Sequence, residues 1–212
     1  MSSPSPTSSF FTPAGTLERE LEAKKSRFIA RAGAVDSRDA ALAFVESVRA
    51  DYPDARHHCW AYLIGNPDAA ATAAMSDDGE PGGTAGKPIL NVIQHKGLGD
   101  VIVVVTRYFG GVKLGAGGLV RAYAGATQRV LAELPLTEHR PQRRFTVIFD
   151  FAAEQPLRHW LDGHGATLLS IEYGPQVSAE LIVPEEQVAQ FEAFLGAQGI
   201  RQDRGRTDSP RD

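Results

Sequence analysis

Arg107, Lys113 and Arg121 accompany five glycines, Gly110, Gly111, Gly115, Gly117 and Gly118, that fall within nine residues. Residues of these types suit an anion. Glycine lets backbone N–H groups come close to a phosphate, and a helix that starts there presents unpaired donors. The two familiar nucleotide patterns fail at named positions. Gly110 and Gly115 have the first spacing of GxxxxGK[ST], but Ala116 and Gly117 stand where the lysine and the hydroxyl belong. Gly115 and Gly117 begin a GxGxxG, but Val120 occupies the third glycine position. What remains is a helix start at about Gly117, flanked by Lys113 and Arg121 and suited to any phosphate. The same glycines also suit a tight turn that packs a strand closely on a helix.

A second cluster, "SDDGEPGGTAGKP", carries Asp77, Asp78, Gly79, Glu80, Pro81 and Gly86. The DxDxDG spacing and the distal glutamate of a calcium loop are missing, so no metal is predicted. Asp78–Gly79 and Pro81–Gly82 are turn pairs, Thr84 is placed to cap the helix through Lys87 and Pro88, and the segment reads as a surface recognition loop. In "HHCW", strand alternation puts His57 and Cys59 on one face, and His58 with Trp60 and Tyr62 on the other. Neighbours on opposite faces cannot share a metal, and zinc needs further Cys or His ligands. The favoured reading is a buried Cys59 beside an edge histidine, with His58 the one to test. No Ser-His-Asp arrangement is present, and no cofactor is predicted.

The 212-residue chain has 42% hydrophobic and 23% charged residues, the composition of a globular protein. Net charge is −4, so no global basic field recruits nucleic acid or lipid. Charge is local instead. Between Lys87 and Arg129, six cations face Asp100 alone, a net +5. A single cysteine excludes an internal disulfide and points to a reducing compartment. With no signal-like N-terminus and no apolar run near the roughly 20 residues of a membrane span, the protein is expected to be soluble and cytoplasmic.

The elements that must position these residues are legible in outline. Residues 1–16, rich in Ser, Pro and Thr, are expected to be disordered. A strand at 26–35, a helix capped at Asp36 or Ser37 and a strand at 57–65 come first; a long loop from Asn66 separates them from the helix beginning "KPIL". "DVIVVVTRYF" is apolar throughout, a strand covered on both faces. After the glycines, Leu119, Val120, Tyr123, Val130, Leu131 and Leu134 form a helical stripe. Residues 17–133 make the first domain and 134–143, polar and proline-bearing, a linker. Residues 144–200 read as βαββα, the ferredoxin-like split βαβ, and 201–212 as a tail, with Ile200 and its neighbours placed to add a short edge strand. The fold class is α+β in two domains.

"ARHHCWAYLIG", "SDDGEPGGTAGKPIL" and "VVVTRYFGGVKLGAGGLVRAYAGAT" closely resemble the YigZ/IMPACT family. The resemblance implies a two-layer α/β first domain, ribosomal-protein-like and shared with elongation factor G and GHMP kinases, followed by a small ferredoxin-like domain. It places functional weight on His58, Asp77, Asp78, Gly79, Glu80, Pro81, Gly86, Arg107, Gly110, Gly111, Gly115, Gly117, Gly118 and Arg121. It implies translational regulation for eukaryotic members, and for bacterial ones a role at the ribosome or on nucleic acid without an established reaction. Two readings follow. One is a non-enzymatic regulator binding RNA, the ribosome or a translation factor through the Lys87–Arg129 surface. The other is an enzyme or sensor holding a small phosphorylated ligand at the glycine loop.

Overall fold

The structure is a computed structural model that describes residues 9–69 and 72–203. It divides into two units, residues 1–139 and 140–212, each with its own core. No helix among the described residues is long and apolar enough to cross a membrane.

The first unit is a five-stranded antiparallel sheet. Its order is β2 (Leu17–Ala23), β3 (Ser26–Ala34), β6 (Val101–Tyr108), β4 (His57–Ile64) and β5 (Thr72–Ser76). The β-branched run of β6 is central because each of its faces meets a core. Val101, Val103 and Val105 pack with α2 (Gly86–Lys96) and α3 (Ala116–Glu133), whereas Ile102 and Val104 pack with α1 (Arg38–Asp51). Helices on both faces make three layers, one more than the two expected. The extra layer is α1, whose Ala41, Val45 and Val48 form the buried stripe.

Three local expectations are corrected. Phe10–Pro13 is strand β1 rather than disordered, and it pairs antiparallel with β7 (Leu136–His139), which lies inside the expected linker. Phe10 supplies the reason: its ring is buried and lies 4.7 Å from the His139 ring. Residues 1–8 of the expected disordered segment lie outside the described residues. The loop from Asn66 contains β5, a hairpin partner of β4 whose small residues carry little strand signal.

In the second unit, β8 (Gln142–Phe149), α4 (Glu154–Gly163), β9 (Thr167–Tyr173), β10 (Val177–Pro184), α5 (Val188–Gln198) and β11 (Arg201–Gln202) follow in sequence. All strand pairs are antiparallel in the order β11-β8-β10-β9, so α4 crosses over β10 to link β8 and β9, a split βαβ. Arg201–Gln202 thus forms an edge strand, not part of a tail, and residues 204–212 lie outside the description. The alternating Phe145, Val147 and Phe149 face Leu157, Trp160 and Phe191 of the two helices.

Candidate functional site

Glu80 and Arg107 join the two conspicuous sequence segments. Arg107, near the end of β6, sends Nη1 to Oε1 of Glu80 at 2.7 Å, and the two side chains are only 9% and 4% exposed. The Tyr123 hydroxyl of α3 donates to the same oxygen at 2.7 Å, and the Cys59 thiol donates to Tyr123 at 3.3 Å and to the Asp77 carbonyl at 2.9 Å. Burial pushes both the Cys59 thiol and the Tyr123 phenol well above their ordinary ranges, so both keep their protons. A protonated, fully buried thiol is an inert packing group, as the sequence suggests.

The carboxylates of the acidic loop turn inward. Asp77 accepts from the backbone N–H groups of Gly83, Ala85 and Gly86 at 2.8, 3.0 and 2.8 Å, so it supplies the N-terminal cap of α2. Burial pushes its carboxyl up, but these three donors outweigh burial and hold it below the ordinary value. Thr84, expected to cap this helix, instead donates to the Pro81 carbonyl at 2.6 Å. Asp78 accepts from the His58 N–H at 2.7 Å and from Arg49 at 3.0 Å. Gly86 lets the helix start against β5, where a Cβ would meet the Ser76 carbonyl at 2.9 Å. Gly79 and Pro81 remain exposed at the loop surface.

The histidines obey strand alternation. His58 is buried on the α1 face with Nε2 3.2 Å from the Tyr52 carbonyl oxygen, and burial lowers its pKa. His57 lies on the other face, its Nδ1 2.8 Å from the Asp78 carbonyl oxygen, where it lines a cleft. The site therefore recruits His57, while His58 serves the other side of the sheet. The same alternation could have found His57, because its Cys59 face is the one toward the glycine segment.

That cleft, about 510 Å³, brings together Glu80, Pro81, Arg107, Lys113 and Gly115 of the predicted residues. Arg56, Arg107 and Lys113 supply cations, His57 an imidazole, Asp54 and Glu80 carboxylates, and Phe109, Leu114 and Leu119 apolar walls. Gly115 stands at the start of α3 with φ +75°, and it offers that helix no side-chain cap. Gly110 is required for another reason: a Cβ there would lie 2.0 Å from the Lys25 carbonyl, so only glycine fits between the loop and the β2–β3 hairpin. Gly118 packs beside Leu114, and Gly111 is an exposed residue of the loop. Gly117 meets nothing nearer than Arg121 Nη1, 3.7 Å from a hypothetical Cβ, so the Arg121 guanidinium folds back over the first turn of α3.

Four arginines on β2, β3 and α1 are ion-paired, in contrast to the cations of α2, the glycine loop and the first turns of α3. Arg19, Arg27, Arg31 and Arg49 are held by Glu133, Glu20, Glu18 and Asp78 at 2.6 to 3.0 Å. Among the described residues, Lys87, Lys96, Lys113 and Arg121 have no ion-pair partner and all four are exposed. A groove of about 580 Å³ between α2 and α3 is lined by Lys87, Lys96, His95, Asn91, Val120 and Gln128. No group of three or more His, Cys, Asp or Glu among the described residues is arranged to hold a metal.

Residues 24–131 match the family described as the Impact N-terminal domain, and residues 147–197 match a domain of unknown function, DUF1949. The chain is 40% identical to the IMPACT family member YigZ of Escherichia coli over 187 residues, 88% of this chain and 92% of that protein. It is 36% identical to the IMPACT family member YvyE of Bacillus subtilis, over 88% of this chain and 85% of the relative. A crystal structure described as that of a hypothetical protein is 36% identical and superposes with a TM-score of 0.67, covering 94% of this chain and 98% of that one. With the domain match falling on the elements that build the cleft, and relatives matched along nearly their whole length, this chain belongs to the IMPACT family.

Proposed function

We propose that this protein is a non-enzymatic, translation-associated regulator that binds RNA, the ribosome or a translation factor through the α2–α3 side of its first domain. One observation carries the reading. The cations on this side, Lys87, Lys96, Lys113 and Arg121, are exposed and unpaired among the described residues, whereas Arg19 of β2, Arg27 and Arg31 of β3 and Arg49 of α1 are bound to carboxylates. Unpaired surface cations around a helix start are the groups a phosphate backbone neutralises. The translational setting comes from the family resemblance.

The carboxylates of the acidic loop support a binding role over catalysis. A metal-assisted phosphoryl transfer needs carboxylates free to hold an ion or move a proton. Here Asp77 is taken up by the start of α2, Asp78 by Arg49 and the His58 N–H, and Glu80 by Arg107 and Tyr123. The test is co-sedimentation with ribosomes and titration with RNA at increasing salt. Binding that falls steeply with salt and is lost on Lys113→Glu with Arg121→Glu is expected; salt-independent binding, or none, overturns the nucleic-acid reading.

A further inference from the structure

We propose that the cleft between the glycine loop and the acidic loop holds one nucleotide unit, its phosphate at the start of α3 and its base on Phe109. This rests on the reading above and narrows it to a ligand chemistry and a place. The phosphate end is defined by two independent features. The first is the start of α3, an 18-residue helix whose N-cap, Gly115, has no side chain to satisfy the free N–H groups. The second is Arg107, whose side chain lines the cleft while being only 9% exposed. Its Nε is buried without a partner, and among the described residues the guanidinium donates only through Nη1, to Glu80. An arginine buried to this degree ordinarily has its donors satisfied; Nε is closed to any ligand, so it is the unpaired Nη2, on a side chain that lines the cleft together with the uncapped helix start, that points to an oxyanion. Lys113, exposed in the same lining, adds a charge, and of the two carboxylates there, Asp54 and Glu80, Glu80 is already neutralised by Arg107.

The base end follows from Phe109. The residue is 60% exposed and lies in the same lining as Arg107 and the start of α3. The Arg107 guanidinium carbon sits 5.7 Å from the Phe109 ring and 5.7 Å from the Phe28 ring, so aromatic groups hold the cation on two sides. The outer surface of Phe109 is open to stack a base, which any base satisfies because each has a π-face. Leu114 and Leu119 complete an apolar wall, and about 510 Å³ lies within the size range of small-ligand clefts. A bare inorganic anion would leave Phe109 and this wall unused.

The test uses the full chain, a labelled single-stranded RNA heptamer followed by anisotropy, and a nucleoside monophosphate followed by calorimetry. Phe109→Ala and Lys113→Glu are both surface changes, and unchanged melting temperatures establish that they fold. Each is expected to weaken the heptamer about tenfold, with Lys113→Glu also flattening the salt dependence by roughly one phosphate contact. Monophosphate binding with the same residue dependence identifies a free nucleotide as the occupant; heptamer binding alone identifies a strand. Both outcomes support the site. If the two variants bind like wild type while Lys87→Glu with Lys96→Glu weakens binding, the cleft assignment falls and the basic-surface reading stands. If the wild type binds neither probe, the cleft assignment falls too, and ribosome co-sedimentation decides the broader reading alone.

Discussion

Glu80 and Arg107 form an ion pair at 2.7 Å that ties the acidic loop to the central strand. Both partners are buried, so removing one leaves the other charged and uncompensated. Arg107→Met is therefore expected to lower stability by about 3–5 kcal/mol in urea denaturation. Tyr123→Phe, which removes a hydroxyl donated to the same carboxylate, is expected to cost about 1.5–3 kcal/mol. A near-neutral Arg107→Met would mean that the loop can swing Glu80 into water.

The acidic loop also predicts behaviour at low pH. Asp77 has its carboxyl held below the ordinary value of 3.8, because the N–H donors of Gly83, Gly86 and Ala85 outweigh burial. A depressed carboxyl stabilises fully above its unfolded pKa, and that contribution disappears as pH falls through the lower folded value. Stability should thus drop below about pH 4. Asp77→Asn should reduce this drop and cost about 1 kcal/mol at neutral pH, as expected for a weakened cap. The comparison is between urea midpoints at pH 7 and pH 3.

His58 acts in a higher window. Burial lowers its pKa below 6.5, partly offset by the Tyr52 carbonyl and Asp78. The unfolded chain then binds the proton more readily than the native one, so stability is complete above about pH 6.5 and declines as pH falls toward the native pKa. His58→Phe should flatten the profile between pH 7 and 5. An imidazole NMR titration midpoint at or above 6.5 would contradict the assignment.

Glycines that look equivalent in sequence are expected to respond oppositely. A Cβ at Gly110 would collide with the Lys25 carbonyl at 2.0 Å, against backbone that cannot step aside. Gly110→Ala should be destabilising by several kcal/mol, as overpacking and backbone displacement combine. At Gly117 a Cβ meets only the end of Arg121 at 3.7 Å, within the first turn of α3. Gly117→Ala should be neutral or stabilising by up to about 1 kcal/mol, from helix propensity alone. Thermal melts of the two variants, run together, check the contrast.

What was legible in the sequence was local. The continuous apolar run of β6 announced a strand buried on both faces, and the pattern from Leu119 to Leu134 announced α3, because each period is written in adjacent residues. Alternation also assigned His58 to the face of Trp60 and Tyr62, and the structure keeps it there, buried against the α1 side. Partners distant in sequence were not legible. Asp77 resembled an exposed recognition residue until its acceptors were seen to meet N–H groups six to nine residues away. The roles of Glu80 and Tyr123 depend on a contact across 43 residues, which no single segment reveals. β5 escaped notice because alanine carries almost no strand preference, and its place is set by register against β4.

The N-terminal segment gives the sharpest separation of composition from context. Its Ser, Pro and Thr content argued for disorder, but Phe10 is only 8% exposed, and the β1–β7 pairing runs from Phe10–His139 to Pro13–Leu136. A Cβ on Gly99 would lie 2.5 Å from the Phe10 ring, so that glycine makes room for the anchor. Phe11, the next residue, is 54% exposed and points the other way. Phe10→Ala should therefore cost about 3 kcal/mol, the low end for a buried phenylalanine, whereas Phe11→Ala should stay within about 0.5 kcal/mol. Equal effects in urea denaturation would show that β1 contributes through its backbone pairing rather than through the Phe10 ring. Unequal effects in the expected order would make one aromatic residue the reason a Ser/Pro/Thr-rich segment joins the folded domain.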